Sequence, residues 1–437
     1  MTRSTGGPGK AGMAGAALCV TLLLASCGGE APPAHGAAPA GAGPAAGAHA
    51  HDGTADPRIT AGTGGTAGAT GATGTPAQGT AHGGHGQAVT PPPPAPLRPS
   101  ERFVTLTLPQ PYRPVAPSGG IDEYRCFLVD PGLAGRAFLT GSQFLPQNAA
   151  IVHHAIIFQV GPRQAQAARA LDASTPGQGW TCFGDAGVED GSWVGHWAPG
   201  ANETLLDPAI GYPMPAGSQI IMQVHYNLLA TGGKPGGADR SGIRLRLNDG
   251  AAALTPLETS RLIAPVELPC TARESGPLCD RKAAVGDVAH RFGEQARATV
   301  DGLTRMCGRG APPVAGPTQH CDFPSPEKGT VYAVAGHMHL LGRSIRIQLN
   351  PGTSRARMLL DIPAYNFDAQ AIHPLPRPVE VKAGDTLRVT CTHDAGLRAL
   401  LPALRGLPPR YVVWGEGTAD EMCLGLLLWT PGARPAG

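Results

Sequence analysis

The sequence has little charge, few aromatic side chains and no long apolar segment beyond its first 26 residues. Of 437 residues, 15% are charged and 5% are aromatic. No block of Lys or Arg occurs, so nothing indicates a nucleic-acid-binding surface. No later segment reaches the roughly 18 apolar residues that a membrane-spanning helix requires. No CxxC pair is present, so the cysteines give no support for a thiolate metal cluster.

The N-terminus predicts export. Arg3 and Lys10 precede the apolar run Ala11–Ala25, which is too short for a stable membrane span and is typical of a signal peptide. The run ends in Leu24-Ala25-Ser26-Cys27, which resembles the lipobox of bacterial lipoproteins. That resemblance implies cleavage after residue 26 and acylation of Cys27. The alternative is an ordinary secretory signal with a Cys near its end.

The predicted location is the bacterial cell envelope, with a lipid anchor at the outer membrane or the periplasmic face. The residue after Cys27 is Gly28 and not Asp. By analogy with other bacterial lipoproteins, this favours anchoring in the outer membrane. The full chain has 34 Lys and Arg against 32 Asp and Glu, so loss of Arg3 and Lys10 makes the two counts equal. A neutral mature chain gives no argument for a nucleic-acid partner.

Residues 27–100 are predicted to be a flexible tether. They are rich in Gly, Ala, Thr and Pro and almost free of Leu, Ile and Phe, so they cannot bury a core. The tether contains His35, His49, His51, His82 and His85. We interpret these as incidental polar residues; the alternative is loose collection of metal ions.

The remaining chain predicts a mainly β protein. Short apolar or alternating runs are broken by Gly and Pro, which is typical of β-sandwiches and barrels. The predicted strands are 103–108, 150–160, 218–228, 242–247, 330–341, 345–349, 386–391 and 411–414. Helical periodicity is confined to 162–171 and 283–304. We predict two antiparallel, jelly-roll-like sandwich domains, at residues 101–255 and 256–437.

Three histidine motifs stand in these predicted strands. His337 and His339 flank Met338, and a strand would place both on one face, where two imidazoles can grip one ion. His153 and His154 are adjacent, so a regular strand would point them to opposite faces, and only a bent or bulged backbone lets them share an ion. His225 ends an apolar run and, taken alone, is more typical of a structural histidine.

The order of the motifs resembles that of the copper type II, ascorbate-dependent monooxygenases, the family of dopamine β-hydroxylase and peptidylglycine α-hydroxylating monooxygenase. The resemblance covers about residues 101 to 430. The motifs that carry it are His153-His154, Trp197-Ala198-Pro199-Gly200, Val224-His225-Tyr226-Asn227, His337-Met338-His339-Leu340-Leu341-Gly342-Arg343 and Asp420-Glu421-Met422-Cys423.

The resemblance implies two copper sites that face each other across a solvent-filled cleft. His153, His154 and His225 correspond to the copper of the first domain, which receives and passes on electrons. His337, His339 and Met422 correspond to the catalytic copper of the second domain, where O₂ binds. Imidazole suits both copper oxidation states, and the Met thioether favours Cu(I). Two coppers per chain are therefore expected, with ascorbate or another one-electron reductant as co-substrate.

The eight remaining cysteines are predicted to form disulfides, which persist in an oxidising compartment. The resemblance implies the pairs Cys126–Cys182 and Cys391–Cys423. Cys270, Cys279, Cys307 and Cys321 allow three pairings. Because residues 256–325 exceed the family pattern in length, we predict Cys270–Cys279 and Cys307–Cys321.

The resemblance also limits the substrate. The peptide-amidating branch holds its substrate's carboxylate with an Arg and a Tyr, at positions where this chain has Ala335 and Leu426. The dopamine β-hydroxylase branch is closer. Glu416 and Asp420 are interpreted as solvated loop acids, and structural or surface roles are assigned to Trp193, His196, Asp368 and His393.

The predicted function is copper-dependent hydroxylation of a C–H bond in a small organic substrate. The substrate and O₂ are the expected small-molecule partners. The alternative is a copper-binding or copper-buffering lipoprotein without catalysis. A zinc hydrolase is a weaker alternative, because no acidic residue adjoins either histidine pair in the HExxH manner.

Overall fold

A computed structural model describes residues 91–117, 120–231, 236–249 and 254–432. The predicted signal peptide, Cys27 and nearly all of the predicted tether lie outside these residues. Among the helices of the described ranges, none has both the length and the apolar character needed to cross a membrane.

Eleven strands precede residue 257. In chain order they are β1 (Glu101–Thr107), β2 (Asp122–Val129), β3 (Ala137–Leu145), β4 (Val152–Val160), β5 (Trp180–Thr181), β6 (Ser192–Trp197), β7 (Thr204–Leu205), β8 (Ile210–Met214), β9 (Gln219–Asn227), β10 (Gly242–Asn248) and β11 (Thr255–Pro256). They form a five-stranded sheet, β5-β2-β9-β4-β6, and a six-stranded sheet, β1-β10-β3-β8-β11 with β7 beside β3.

The later strands form three further sheets. They are β12 (Glu258–Ile263), β13 (Glu267–Leu268), β14 (Thr318–Pro324), β15 (Gly329–His337), β16 (Gly342–Leu349), β17 (Arg357–Ile362), β18 (His373–Val381), β19 (Thr386–His393), β20 (Val412–Val413) and β21 (Leu424–Pro431). Two sheets have four strands, in the orders β12-β21-β15-β18 and β14-β19-β16-β17, and β13 pairs with β20. The prediction of a mainly β, antiparallel fold is confirmed.

Five α-helices connect the strands within the described residues. They are α1 (Pro162–Ser174), α2 (Arg281–Phe292), α3 (Glu294–Cys307), α4 (Leu397–Leu400) and α5 (Pro402–Arg405). The predicted helix 283–304 is two helices, because Gly293 adopts a φ of 87° between them, in the left-handed range that favours glycine. Asp280 caps the N-terminus of α2, because its side chain accepts a hydrogen bond from the Ala283 N–H at 2.9 Å.

Each half has a core between two sheets. In the first half, Leu245 of β10 and Val224 of β9 belong to one buried cluster. In the second half, Ile347 of β16 and Leu427 of β21 share another. The first cluster also includes Leu426, whose side chain alternates with that of Leu427 along β21. One face of β21 therefore packs within the second half and the other meets the first half. The domain boundary at residue 255 stays a prediction.

A pair of glycines lets the two later sheets approach closely behind the second histidine motif. Gly336 of β15 lies opposite Gly425 of β21. A Cβ atom at Gly336 would lie 2.8 Å from Ile345, and one at Gly425 would lie 2.9 Å from Ile347. Side chains at either position would push β16 away, so these glycines fix the position of the strand that ends at His337.

Candidate active site

A β-bulge brings the adjacent histidines of β4 to one side of the sheet. The pairing of β4 with β9 shifts register between Val152 and His154, which makes His153 the extra residue, and His154 lies opposite His225. A bulge interrupts the alternation of side chains along a strand. His153 and His154 can share an ion only if the backbone is bent or bulged between them. The bulge at His153 meets this condition.

The three imidazoles of this motif converge through their Nδ1 atoms. The Nδ1 of His153 lies 3.2 Å from those of His154 and His225, and the latter two are 3.3 Å apart. All three side chains are buried. A metal ion about 2 Å from each nitrogen, which is typical of metal–imidazole bonds, fits a triangle of this size. Within the described residues, His153, His154 and His225 have their ligand atoms close enough together to hold one metal ion.

Asp122 fixes the tautomer of the His225 imidazole. The Nε2–H of His225 donates to Asp122 Oδ1 at 2.9 Å, so its Nδ1 keeps the lone pair that a metal needs. The Oγ of Thr418, from the second half of the chain, donates to the same oxygen at 2.6 Å. Burial acts to raise the pKa of Asp122, but these bonds and the nearby His225 lower it overall. The carboxylate therefore stays ionised and links the first motif to the second half.

Burial holds three of these histidines, His154, His225 and His337, in the neutral form. Burial lowers the pKa of His154 well below its ordinary value and also lowers that of His225. Burial, together with His339, lowers the pKa of His337 to about 3. Only a neutral imidazole can offer a lone pair to a metal, so these rings are ready ligands at neutral pH.

The second histidine motif straddles the end of a strand. β15 ends at His337, so the predicted strand through residue 341 is wrong beyond that residue, and His339 lies in the following turn. The two rings still meet, with centroids 5.2 Å apart. The Nδ1–H of His337 donates to Gln370 Oε1 at 2.5 Å, and that of His339 donates to the Asp420 carbonyl at 3.1 Å.

These bonds leave the Nε2 atoms of the second motif for other partners. The Nε2 of His339 is buried and has no hydrogen-bond partner among the described residues. A buried polar atom without a partner is costly unless a ligand satisfies it. A metal ion on the Nε2 atoms of His337 and His339 would remove that cost.

Glu421 ties the His339 turn to the segment that carries Met422. Its fully buried carboxylate accepts hydrogen bonds from the backbone N–H groups of His339 at 2.9 Å and Leu341 at 2.5 Å. It also lies 3.3 Å from His393 Nε2. The next residue, Met422, is 7% exposed, and its side chain lines a cavity together with His337.

The two motifs meet at this cavity. His154 and His337 have ring centroids 5.6 Å apart, and His153 stacks on Phe367 of the second half at 4.6 Å. The cavity has a volume of about 320 Å³ and is lined by His154, His337 and Met422. The resemblance implies two sites that face each other across a solvent-filled cleft. The structure brings the motifs into ring contact, beside a partly open cavity that both reach.

Several residues outside the predicted ligand sets prove to lie at or near this cavity. Glu416, His196 and Trp193 line it, and burial lowers the pKa of His196 to about 4. Asp420 is 2% exposed and accepts two hydrogen bonds from Arg291, at 2.6 and 2.8 Å. The interpretation of Asp420 as a solvated loop acid is therefore wrong, because its carboxylate is buried and paired with Arg291, whereas Glu416 is partly exposed at the cavity.

The described part of the chain contains four disulfides, in the pairings expected from the sequence. They are Cys126–Cys182, Cys270–Cys279, Cys307–Cys321 and Cys391–Cys423. The last joins the residue after Met422 to β19, so it fixes the backbone of the Met422 segment.

Comparisons with known proteins agree with the second motif. Residues 316–434 match the family described as copper type II ascorbate-dependent monooxygenase, C-terminal domain. A putative DBH-like monooxygenase protein 2 of Homo sapiens is 32% identical over 102 residues, which is 23% of this chain and 18% of that protein. The DBH-like monooxygenase protein 2 of Mus musculus is 31% identical over 96 residues, 22% of this chain and 14% of that protein.

The matched segment spans less than a fifth of these relatives. Among solved structures, the major capsid protein P2 of bacteriophage PM2 has 8% identity and a TM-score of 0.29, over 76% of this chain and 99% of that one; a likeness this low bears on neither fold nor function. The segment with His337, His339 and Met422 is therefore similar, over residues 316–434, to the C-terminal domain of the copper type II, ascorbate-dependent monooxygenases.

Proposed function

We propose that this protein is a monooxygenase that holds two copper ions and hydroxylates a C–H bond of a small organic molecule. One atom of O₂ enters the C–H bond and the other leaves as water. Two electrons from an external one-electron reductant such as ascorbate, and two protons, complete the balance. Copper, when bound, supplies the one-electron redox chemistry that makes O₂ reactive.

His153, His154 and His225 would hold one ion. Their three Nδ1 atoms lie within 3.3 Å of one another, and an all-imidazole set suits copper in either oxidation state. Asp122 keeps His225 in the required tautomer. A site that tolerates both oxidation states is suited to accepting electrons one at a time.

His337, His339 and Met422 would hold the other ion. Gln370 and the Asp420 carbonyl orient the two rings, and Glu421 fixes the backbone of the His339 turn next to Met422. A thioether favours Cu(I), the reduced state that reacts with O₂. The two ligand sets thus differ in chemistry. The all-imidazole set suits electron acceptance, and the set with Met422 suits the reaction with O₂.

The cavity between the halves carries the proposal. It is bordered by ligands of both proposed sites and by Trp197, Trp414 and Phe292, which would keep water away from a reacting C–H bond. A volume of about 320 Å³ lies at the lower end of the range for small-molecule pockets. A copper-buffering protein would have no need of such a cavity.

Oxygen consumption tests the proposal. The mature protein would be loaded with copper, reduced with ascorbate, and supplied with small aromatic substrates while O₂ uptake is recorded. We expect two coppers per chain and substrate-dependent uptake that is lost in Met422→Ala. Met358→Ala is the matched control, because Met358 is 47% exposed on β17. Tight copper binding without O₂ uptake under any of these conditions would favour a buffering role.

We also propose that the chain is anchored in the bacterial cell envelope by a lipid on Cys27. The Leu24-Ala25-Ser26-Cys27 sequence supports this. Cys27→Ser should release the protein from the membrane fraction, and mass spectrometry of the N-terminal peptide should show the loss of acyl mass. An unmodified Cys27 in the wild-type protein would overturn the proposal.

A further inference from the structure

A loop of eight residues between β20 and β21, the 415–422 loop, has polar contacts to residues around both proposed metal sites. On the side of the first site, Thr418 Oγ1 donates to Asp122 at 2.6 Å. On the side of the second site, the Asp420 carbonyl accepts a hydrogen bond from His339 Nδ1–H at 3.1 Å. Whatever fixes this loop therefore fixes the orientation of the His339 ring.

The 415–422 loop folds around the carboxylate of Asp420. The backbone N–H of Gly417 donates to Asp420 Oδ2 at 3.1 Å, and the N–H of Asp420 donates to the Gly417 carbonyl at 2.8 Å. A Cβ atom at Gly415 would lie 2.7 Å from the same carboxylate oxygen, so only glycine lets the backbone approach it this closely. A buried carboxylate is costly unless it is paired, so the loop conformation depends on the partner of Asp420.

Arg291, at the end of α2, is that partner. Its Nη1 and Nη2 donate to the two oxygens of Asp420 at 2.8 and 2.6 Å, the bidentate geometry in which a guanidinium binds a carboxylate most strongly. Its Nε donates to Asp287 of the same helix at 2.9 Å. Arg410 also approaches Asp420, but at 3.6 Å, which is too long for a hydrogen bond.

The helix that carries Arg291 is anchored independently of the loop. Val285 and Val288 of α2 belong to the same buried cluster as Val413 of β20. The disulfide Cys270–Cys279 lies just before the helix. α2 falls in residues 256–325, the region that is longer than the family pattern, and contains none of the five motifs. Arg291 therefore adds a support for His339 that the motifs themselves do not contain.

We propose that Arg291 is a positioning residue for the second proposed metal site. By pairing with Asp420 it fixes the 415–422 loop, and the Asp420 carbonyl then directs the ring of His339. Without this pair, His339 loses a fixed acceptor for its Nδ1–H, and its Nε2 loses a fixed direction. The consequence for copper rests on the proposed function, whereas the effect of Arg291 on the loop is a property of the metal-free chain.

Backbone amide exchange in the metal-free protein tests the effect on the loop. The N–H groups of Gly415, Gly417, Thr418 and Asp420 are all hydrogen-bonded in the folded chain. Arg291→Met removes the charge but keeps a long side chain. Removing one partner of a buried ion pair is strongly destabilising, so we expect peptides that cover residues 415–422 to exchange about tenfold faster or more, while β21 stays protected. Unchanged exchange in the loop would overturn the proposal.

Matched variants separate this role from a general effect on folding. Arg297→Met is the control, because Arg297 is a partly exposed residue of α3 whose partner, Glu294, is on the surface. Arg291→Lys keeps the charge without the fork and should give an intermediate exchange rate; it replaces Arg291→Met in the comparison if that variant does not fold. Asp420→Asn should also speed exchange, and the double variant of Arg291→Met and Asp420→Asn should exchange no faster than Arg291→Met alone. Fully additive effects would show that Arg291 does not act through Asp420.

Copper binding tests the consequence for the second site. Competition with a Cu(I) chelator should show the second ion bound about tenfold more weakly in Arg291→Met, with a smaller change at the first site. X-ray absorption of the reduced protein should show less sulfur scattering from Met422 than in the wild type. A role in folding alone would lower the thermal stability and leave the ratio of the two affinities unchanged, which would overturn the assignment to the second site.

The two measurements distinguish this inference from the proposed function. If the wild-type protein binds no second copper ion, the monooxygenase proposal fails, and amide exchange in the metal-free protein still decides the role of Arg291. If the wild type binds two ions and consumes O₂, while Arg291→Met matches it in amide exchange and in both affinities, only the role of Arg291 is lost.

Discussion

The two proposed metal sites are built in different ways. The first takes its three imidazoles from β4 and β9, neighbouring strands of one sheet, and their Nδ1 atoms already lie within 3.3 Å of one another. The second takes His337 from a strand end, His339 from a turn and Met422 from a segment more than 80 residues later. Backbone pairing sets the first site, whereas the second depends on the side chain of Glu421 and on a disulfide.

This difference predicts which site is the more fragile. A ligand set within one hydrogen-bonded sheet moves only if the sheet unfolds. A set assembled from loops can lose its geometry when one supporting group is removed. The second site is therefore expected to respond more strongly to changes outside its own ligands.

Removing a ligand from each site should have the largest effect. His225→Ala and His339→Ala should each reduce the copper content from two ions to one, because each variant loses one of three ligands of one site only. Turnover should fall in both variants by at least about 10–100-fold, the loss that typically follows removal of a hydrogen-bond partner of a metal ligand. Copper analysis and O₂ uptake measure the two effects. Loss of both ions in either variant would mean that the six residues form one shared site.

Removing the disulfide beside Met422 should have the next largest effect. Cys391 and Cys423 are 32 residues apart, and loss of this link should lower the free energy of unfolding by about 3–4 kcal/mol. The double variant to Ala should also weaken copper binding at the second site and leave the first unchanged. The control is the Cys270–Cys279 pair, 9 residues apart, whose loss should cost about 2–3 kcal/mol without affecting copper. Urea unfolding and copper titration provide the measurements.

Asp122→Asn should weaken the first site moderately. An Asn oxygen can still accept from His225, but without a negative charge, so we expect copper affinity to fall by about tenfold. Competition with a Cu(I) chelator measures the affinity. Asp361→Asn provides a control, since Asp361 is a partly exposed member of a surface ion pair with Arg346. An unchanged affinity in Asp122→Asn would show that sheet geometry alone maintains the first site.

Acidification should have the smallest effect on the metal-free protein. The pKa of His337 is about 3 in the folded chain and about 6.5 in an unfolded one. Below pH 6.5 the unfolded state therefore binds a proton that the folded state does not, and stability falls as the pH decreases. Between pH 7.5 and pH 5 we expect this residue to contribute a loss of about 1–2 kcal/mol. His337→Gln should remove that share from urea unfolding curves; identical pH profiles would contradict it.

The sequence was informative where periodicity and local spacing decide the structure. Alternating runs predicted the strands that carry His154 and His225. The alternation of side chains also gave the condition for joint ligation by His153 and His154, a bent or bulged backbone, but not whether the chain meets it. Periodicity did not indicate the position of His339. Nothing in the apolar run 330–341 marks the end of β15 at His337, because the strand ends where its partner β21 begins at Leu424.

Residues that act across long distances in the sequence were not found. Asp122 lies 103 residues from His225, and their contact follows from the pairing of β2 with β9. Glu416 and Asp420 are acids in a Gly-containing loop, and composition alone indicates solvent exposure for both. The burial of Asp420 results from tertiary packing with Arg291, which no local sequence pattern indicates.

The bulge at His153 has a consequence for how this site could arise or be lost. Substitutions change which side chains a strand carries, but they do not change how many residues lie between two ladder partners. Deleting one residue from the Ile151–Val152 pair would restore regular pairing with β9 and turn the histidines to opposite faces. The first proposed metal site is thus specified by the length of the chain at this point, and its history should be recorded in insertions and deletions.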